Sequence, residues 1–264
     1  MNWDRIVLCA KDLLGVVLVL RLLQLQLHGV YRVFAVFVLY ECLGSSVVLF
    51  QSALTSRGVD YEWEWLVLSA VGWVITLWMV YAVLEAVLER LPGILKFSRR
   101  FLNYTFLAAV IVALITAKAE LSGNTVPSGK SALESAVVVG MALERVIATV
   151  VLLVLLAILC FVLWFPVKLP RNLVVFSLGL VVYFSCRNVL MLAQEFLAVE
   201  AARAAAVASM LVLGGCFAYW GVCLSRAGEA AELRLGHGWR SGDQQRLMDQ
   251  LEAMNAALLR GARR

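Results

Sequence analysis

The chain has 264 residues, of which 62% are hydrophobic and 16% charged, and its mean hydropathy is +0.88. Soluble domains hold roughly 45–50% apolar residues, so an ordinary soluble globular domain is excluded and a polytopic membrane protein is indicated. The net charge of +5 sits on basic residues that flank apolar stretches, so the expected partner is the lipid bilayer and no nucleic acid is expected.

A bilayer core needs roughly 20 apolar residues per helical crossing. That ruler places spans near 6–27, 33–55, 64–88, 101–119, 136–165, 172–197 and 204–225. The expected fold is an all-α membrane protein, a seven-transmembrane-helix bundle. Lys11, Asp12 and Arg21 interrupt the first span, and a stretch this polar also suits the membrane interface. It lacks the small-residue cleavage site of a removed signal peptide. One face carries Arg32, Arg90, Lys96, Arg99, Arg100, Lys168, Arg171, Arg226, Arg234 and Arg240, and the other carries Arg5, Arg57, Lys118, Lys130 and Arg203. This excess predicts an outside N-terminus and a cytoplasmic C-terminus in the cell inner membrane.

The transmembrane domain is expected over 1–226 and a cytoplasmic tail over 227–264. The stretch AELSGNTVPSGKSA, residues 119–132, reads as a flexible outer loop. In the tail, Ser241 and Asp243 offer N-caps to an amphipathic helix at about 243–260. Its apolar stripe is Leu247, Leu251, Met254 and Leu258. Such a stripe packs on the bundle, lies on the lipid surface or binds a protein partner; homo-oligomerisation is also compatible.

Cysteines at 9, 42, 160, 186, 216 and 223 form no CxxC pair and read as small buried side chains. His28 and His237 are the only histidines, which supports neither haem ligation nor a histidine metal centre. No metal ligand or cofactor is assigned. Residues 204–225 contain no lysine for a retinal Schiff base. HExxH and phosphate-cradling glycines are also missing from the sequence, and His28 and His237 as the only imidazoles do not support a serine protease of the membrane. No catalytic residue is assigned, and the chain is not expected to be an enzyme.

The polar residues inside the spans carry the functional reading. Arg187 lies near the middle of FSLGLVVYFSCRNVLMLAQEF. Arginine at the centre of a crossing helix costs roughly 2.5–3.5 kcal/mol on insertion scales and generally faces a bundle interior or water. Tyr183, Arg187, Met191 and Gln194 share one helix face. Two carboxylates are candidate partners, Glu41 and Glu144; at a rise of about 1.5 Å per residue, Glu41 and Arg187 differ in depth by roughly 7 Å. Glu144 stands on a ridge of small residues, Ala132, Ala136, Gly140 and Ala148, that admits a close neighbour. Arg145, about 100° round the helix, pairs with an acid or snorkels to the interface. Glu41, Glu144, Arg145, Tyr183, Arg187 and Gln194 are therefore the candidate ligand-binding residues. Glu85 and Glu89 read as a solvated helix end, Ser45 and Ser52 as local donors to backbone carbonyls, and Trp63, Trp65, Tyr104 and Tyr219 as anchors or packing residues.

Two readings of the cluster stay open: it fastens helices, or it holds a small polar ligand, lipid headgroup or protein partner in a receptor-like or scaffold-like protein. The alternatives are a secondary transporter or permease and a structural subunit of a membrane complex. Prolines occur only at 92, 127, 166 and 170, all in connections, which disfavours the broken helices of transporters.

The stretches YRVFAVFVLYE, EAVLERLPGILKFSRRF, LERV at 143–146, FPVKLPRN and QLEAMNAALLR together resemble a family of uncharacterised bacterial seven-helix membrane proteins. The resemblance implies the seven-helix topology and draws attention to Glu144 and Arg145; it implies no activity.

Overall fold

The computed structural model describes residues 3–29, 31–54, 61–89, 91–122, 132–165, 168–196, 199–234 and 241–261. Residues 123–131 of the expected loop, Arg57, Arg90, Pro166, His237 and Arg240 lie outside this set, as do the side chains of His28, Ser52, Lys168, Gln194, Arg203, Arg234, Ser241 and Asp243.

The described chain is almost wholly helical: α1 (Trp3–Gln24), α2 (Arg32–Leu54), α3 (Tyr61–Leu88), α4 (Pro92–Ser122), α5 (Ala132–Trp164), α6 (Arg171–Phe196), α7 (Val199–Cys223), α8 (Arg226–Ala230) and α9 (Ser241–Gly261). A 3-10 turn, Leu27–Gly29, joins α1 to α2. Strands β1 (Lys168–Pro170) and β2 (Glu232–Arg234) pair antiparallel with Leu169 opposite Leu233. In hydrocarbon every backbone N–H and C=O needs a partner within the protein, and a helix supplies these within one segment. Long runs of Leu, Val, Ile and Ala therefore become helices whose outer faces stay apolar. Leu13, Val74, Ile115, Leu153, Val189 and Val222 are exposed on the described surface, where a bilayer would cover them.

Among the described residues, five helices are long and apolar enough to cross a membrane: Glu62–Leu88, Pro92–Ala119, Ser135–Trp164, Arg171–Ala193 and Ala204–Cys223. The seven-transmembrane-helix bundle expected from hydropathy is thus corrected to a multi-pass helical protein with five membrane-length apolar helices. In α1, Lys11, Asp12 and Arg21 break the apolar run.

Neighbouring helices close a ring. α1 packs on α2 and α7, α2 on α3, α3 on α5, α5 on α6 and α6 on α7, while α4 lies outside against α5 and α3. The core is aromatic where α2, α6 and α7 meet: the Phe34 ring lies 4.6 Å from Phe176 and 4.9 Å from Trp220. Gly179 makes room for this contact, since a β-carbon there would collide with the Trp220 indole. Gly15 does the same for α1: a β-carbon would run into the Cys42 sulfur on α2 and come within 3.1 Å of Phe217 on α7. This close approach carries the polar residues one turn earlier in α1 against α2.

The ends of the bundle are tied by side chains. Pro92 opens α4, a position where its missing N–H is no loss. The next two donors, Gly93 N and Ile94 N, are taken by Asn255 Oδ1 of α9 at 2.6 and 3.3 Å. Helix α9 thereby docks on α4 with Leu251 2% exposed and Leu258 against the core, while Met254 stays exposed. Helix α8 is preceded by Ser225, whose hydroxyl accepts from Gly228 N as an N-cap does.

Candidate functional site

The site is built from two polar groups that meet at α2. The first joins α5 to α6. Arg187 forms an ion pair through Nη2 with Glu144 Oε1 and donates from Nη1 to the Tyr183 hydroxyl at 2.7 Å. Tyr183 lies one helical turn before Arg187 on the same face and is buried at 2% exposure. The guanidinium carbon stands 6.0 Å from its ring centroid, within cation–π range. Next to it, Asn188 donates from Nδ2 to the Phe184 and Ala148 carbonyls at 2.8 and 3.1 Å and accepts from Thr149 Oγ1 at 2.8 Å. The Arg187 and Glu144 side chains remain 29% and 19% exposed, so the pair is sunk into the protein without being sealed.

The second group joins α1 to α2. The closeness allowed at Gly15 places Lys11, one turn earlier, at 4% exposure. Its ammonium donates to Ser45 Oγ and to the Glu41 carbonyl at 3.3 Å and lies 3.2 Å from Asp12 Oδ1. Both Asp12 carboxylate oxygens are buried and accept no hydrogen bond among the described residues; Lys11 is what balances their charge. Ser45 also returns its hydroxyl to the Glu41 carbonyl at 2.8 Å. Glu41 links the two groups: its carbonyl receives Lys11, and its carboxylate is close enough to act electrostatically on Arg187 and Tyr183. Tyr40, which donates to the Leu68 carbonyl of α3 at 2.7 Å, feels the charges of Glu41, Arg187 and Glu144.

The structure therefore brings together Glu144, Tyr183 and Arg187, with the charge of Glu41 acting on them through space. Arg145 lies on the exposed side of α5, where its carbonyl accepts from Thr149 Oγ1 at 2.9 Å. The Gln194 side chain lies outside the described residues. On the small-residue ridge of α5, Gly140 faces Trp65 and Leu66 of α3, while the Ala148 carbonyl accepts from Asn188 of α6. Sequence reasoning missed Lys11 and Asp12 as members of the site and took them only as interruptions of an apolar run. Gly15, one turn on, was the available signal, since small residues mark where membrane helices approach.

A separate polar knot at one end of the bundle was not anticipated. Tyr31 donates to Glu229 Oε2 at 2.9 Å, and Asn172, 0% exposed, donates to the same oxygen at 3.3 Å and to the Ser225 carbonyl at 2.7 Å. Burial, then the charge of Glu229 and the hydrogen bond to it, push the Tyr31 phenol well above its ordinary pKa, so it stays a donor throughout the neutral range. Glu85, read with Glu89 as a solvated end, pairs with Arg99 at 2.8 Å on the surface. Among the described residues no group of three or more His, Cys, Asp or Glu is placed to hold a metal ion, and the cysteines described are free thiols.

Comparison with known proteins finds no matching family model, no matching curated protein and no matching solved structure. The resemblance to an uncharacterised bacterial seven-helix family is corrected accordingly: no family model matches its short, degenerate motifs, and the apolar helices of membrane length are five. What stands is a polytopic, largely membrane-embedded helical protein.

Proposed function

We propose that this protein is receptor-like or scaffold-like and binds a small polar ligand at the inner layer formed by Lys11, Asp12, Glu41, Glu144, Tyr183 and Arg187. The observation that carries the reading is the partly exposed Arg187–Glu144 pair, with the Glu41 carboxylate acting on Arg187 through space. A guanidinium has five N–H donors, and the described contacts engage one on each terminal nitrogen. In a hydrocarbon surround the remaining donors gain from a polar guest. Buried ion pairs by themselves are weak contributors to stability, which favours retention of this one for binding.

Apolar helices, rather than a closed barrel, fit a cytoplasmic membrane. Helices α3 to α7 each run without a break, which favours binding over alternating access through discontinuous helices. The test is an inventory by mass spectrometry of small molecules retained by the protein purified in mild detergent. Wild type is expected to retain a polar molecule that Arg187→Met loses while keeping its helical content. Identical inventories would overturn the reading.

A further inference from the structure

A partly open pocket lies away from the Arg187 layer, at the end of the bundle where the α1–α2 turn, β1 and α8 converge. It is a cavity of about 230 Å³, below the roughly 300–1,000 Å³ of pockets for drug-sized ligands, so its guest is small. Its wall is aromatic on one side: Tyr31 and Phe176 meet edge to face at 5.9 Å, and Phe34 stands 4.6 Å from Phe176. Small residues of α3, Ala82 and Ala86, leave the space opposite. The ionisable groups lining it include Glu89 and Glu229, and its described lining contains no lysine or arginine.

The polar knot fixes Glu229. Both of its described hydrogen bonds, from Tyr31 and Asn172, fall on Oε2. Asn172 cannot turn to offer anything else, because its carbonyl oxygen accepts from Ser225 N at 3.3 Å while its amide serves Ser225 and Glu229. An anion entering this space would meet two carboxylates. A divalent metal would want six or more oxygens, and most of the lining is hydrocarbon and ring. An alkylated ammonium group satisfies both kinds of wall, its charge against the carboxylates and its methyl groups against the aromatic faces.

We propose that this cavity binds a small organic cation carrying an alkylammonium group, with Glu229 and Glu89 as counter-charges and Tyr31, Phe34 and Phe176 as the aromatic wall. The site is independent of the Arg187 layer. The test is equilibrium dialysis of labelled choline against the full-length protein in detergent. Saturable binding at millimolar choline is expected, undisturbed by the neutral isostere 3,3-dimethyl-1-butanol and unchanged in Arg187→Met.

Glu229→Gln is expected to weaken binding by about ten-fold or more, the loss of a charge-assisted contact. Because that change also touches Tyr31 and Asn172, Glu89→Gln at the exposed rim serves as the second variant and is expected to weaken binding in the same direction. Nanodiscs separate the two sources of an ammonium group. Weaker choline binding in phosphatidylcholine than in phosphatidylglycerol discs assigns the site to a lipid headgroup, and equal binding assigns it to a free amine. No saturable binding, equal competition by the neutral alcohol, displacement by equimolar potassium chloride, or full affinity in both glutamate variants would overturn the proposal.

Discussion

Arg187 can be kept in an apolar helix only if its charge is answered from a neighbouring one, and Glu144 gives that answer. Removing one partner of a buried pair costs about 3–5 kcal/mol, whereas replacing both with apolar residues is often nearly neutral. Glu144→Leu should therefore lower the unfolding temperature in detergent sharply, and Glu144→Leu with Arg187→Met should recover most of the loss; additive losses would show that the two do not interact. Sequence could name Arg187 and both carboxylates but not choose between them. Counting residues gives depth along a helix and leaves its rotation undetermined, and rotation is what turns Glu144 to Arg187. Asn172 and Glu229 gave no such signal, because a single amide after a proline is unremarkable until α8 folds back on it.

Tyr31 carries a pH prediction at the same scale. Its phenol is held above the ordinary tyrosine pKa of about 10. Below that value the group is protonated whether the protein is folded or not, and its contribution is complete. As pH rises above about 10 the unfolded chain loses the proton first, so stability declines toward the folded-state pKa. The unfolding temperature of wild type should fall more steeply than that of Tyr31→Phe between pH 9 and 11 (about those limits); parallel curves would remove Tyr31 from the explanation.

At the scale of elements, α9 shows what a hydrophobic stripe does and does not tell. Leu247, Leu251, Met254 and Leu258 mark a face, and the period says that the face will be covered, but not by what. The decisive contact is Asn255, off that stripe, whose side chain caps α4 at Gly93 and Ile94. Loss of such a cap costs about 0.5–2 kcal/mol. Asn255→Ala should speed amide exchange at Gly93 and Ile94 and expose α9 to protease; unchanged exchange would mean that the cap is not formed in solution. At the α6–α7 contact, Gly179→Val places a branched side chain against Trp220 and should destabilise by about 1–3 kcal/mol through overpacking, read as a lower unfolding temperature. Hydropathy located the apolar stretches well but overcounted crossings, since it averages over Lys11, Asp12 and Arg21, whose positions matter more than their mean.

For the whole molecule, composition alone made the membrane assignment legible, because no soluble core can hide so many apolar side chains. The closed ring of helices was not legible: the contact of α1 with α7 depends on Gly15 and on shape. If the bundle binds rather than transports, liposomes carrying the protein should pass no more protons or potassium than empty ones; flux abolished by Arg187→Ala would favour a transporter. The inner polar layer itself is best examined in a high-resolution density map of the wild-type protein in lipid nanodiscs. Non-protein density against the Arg187 guanidinium, beside Glu144 and Glu41 and missing from the Arg187→Met map, is the expected result; a layer filled by side chains alone, or a guanidinium turned into lipid, would contradict it.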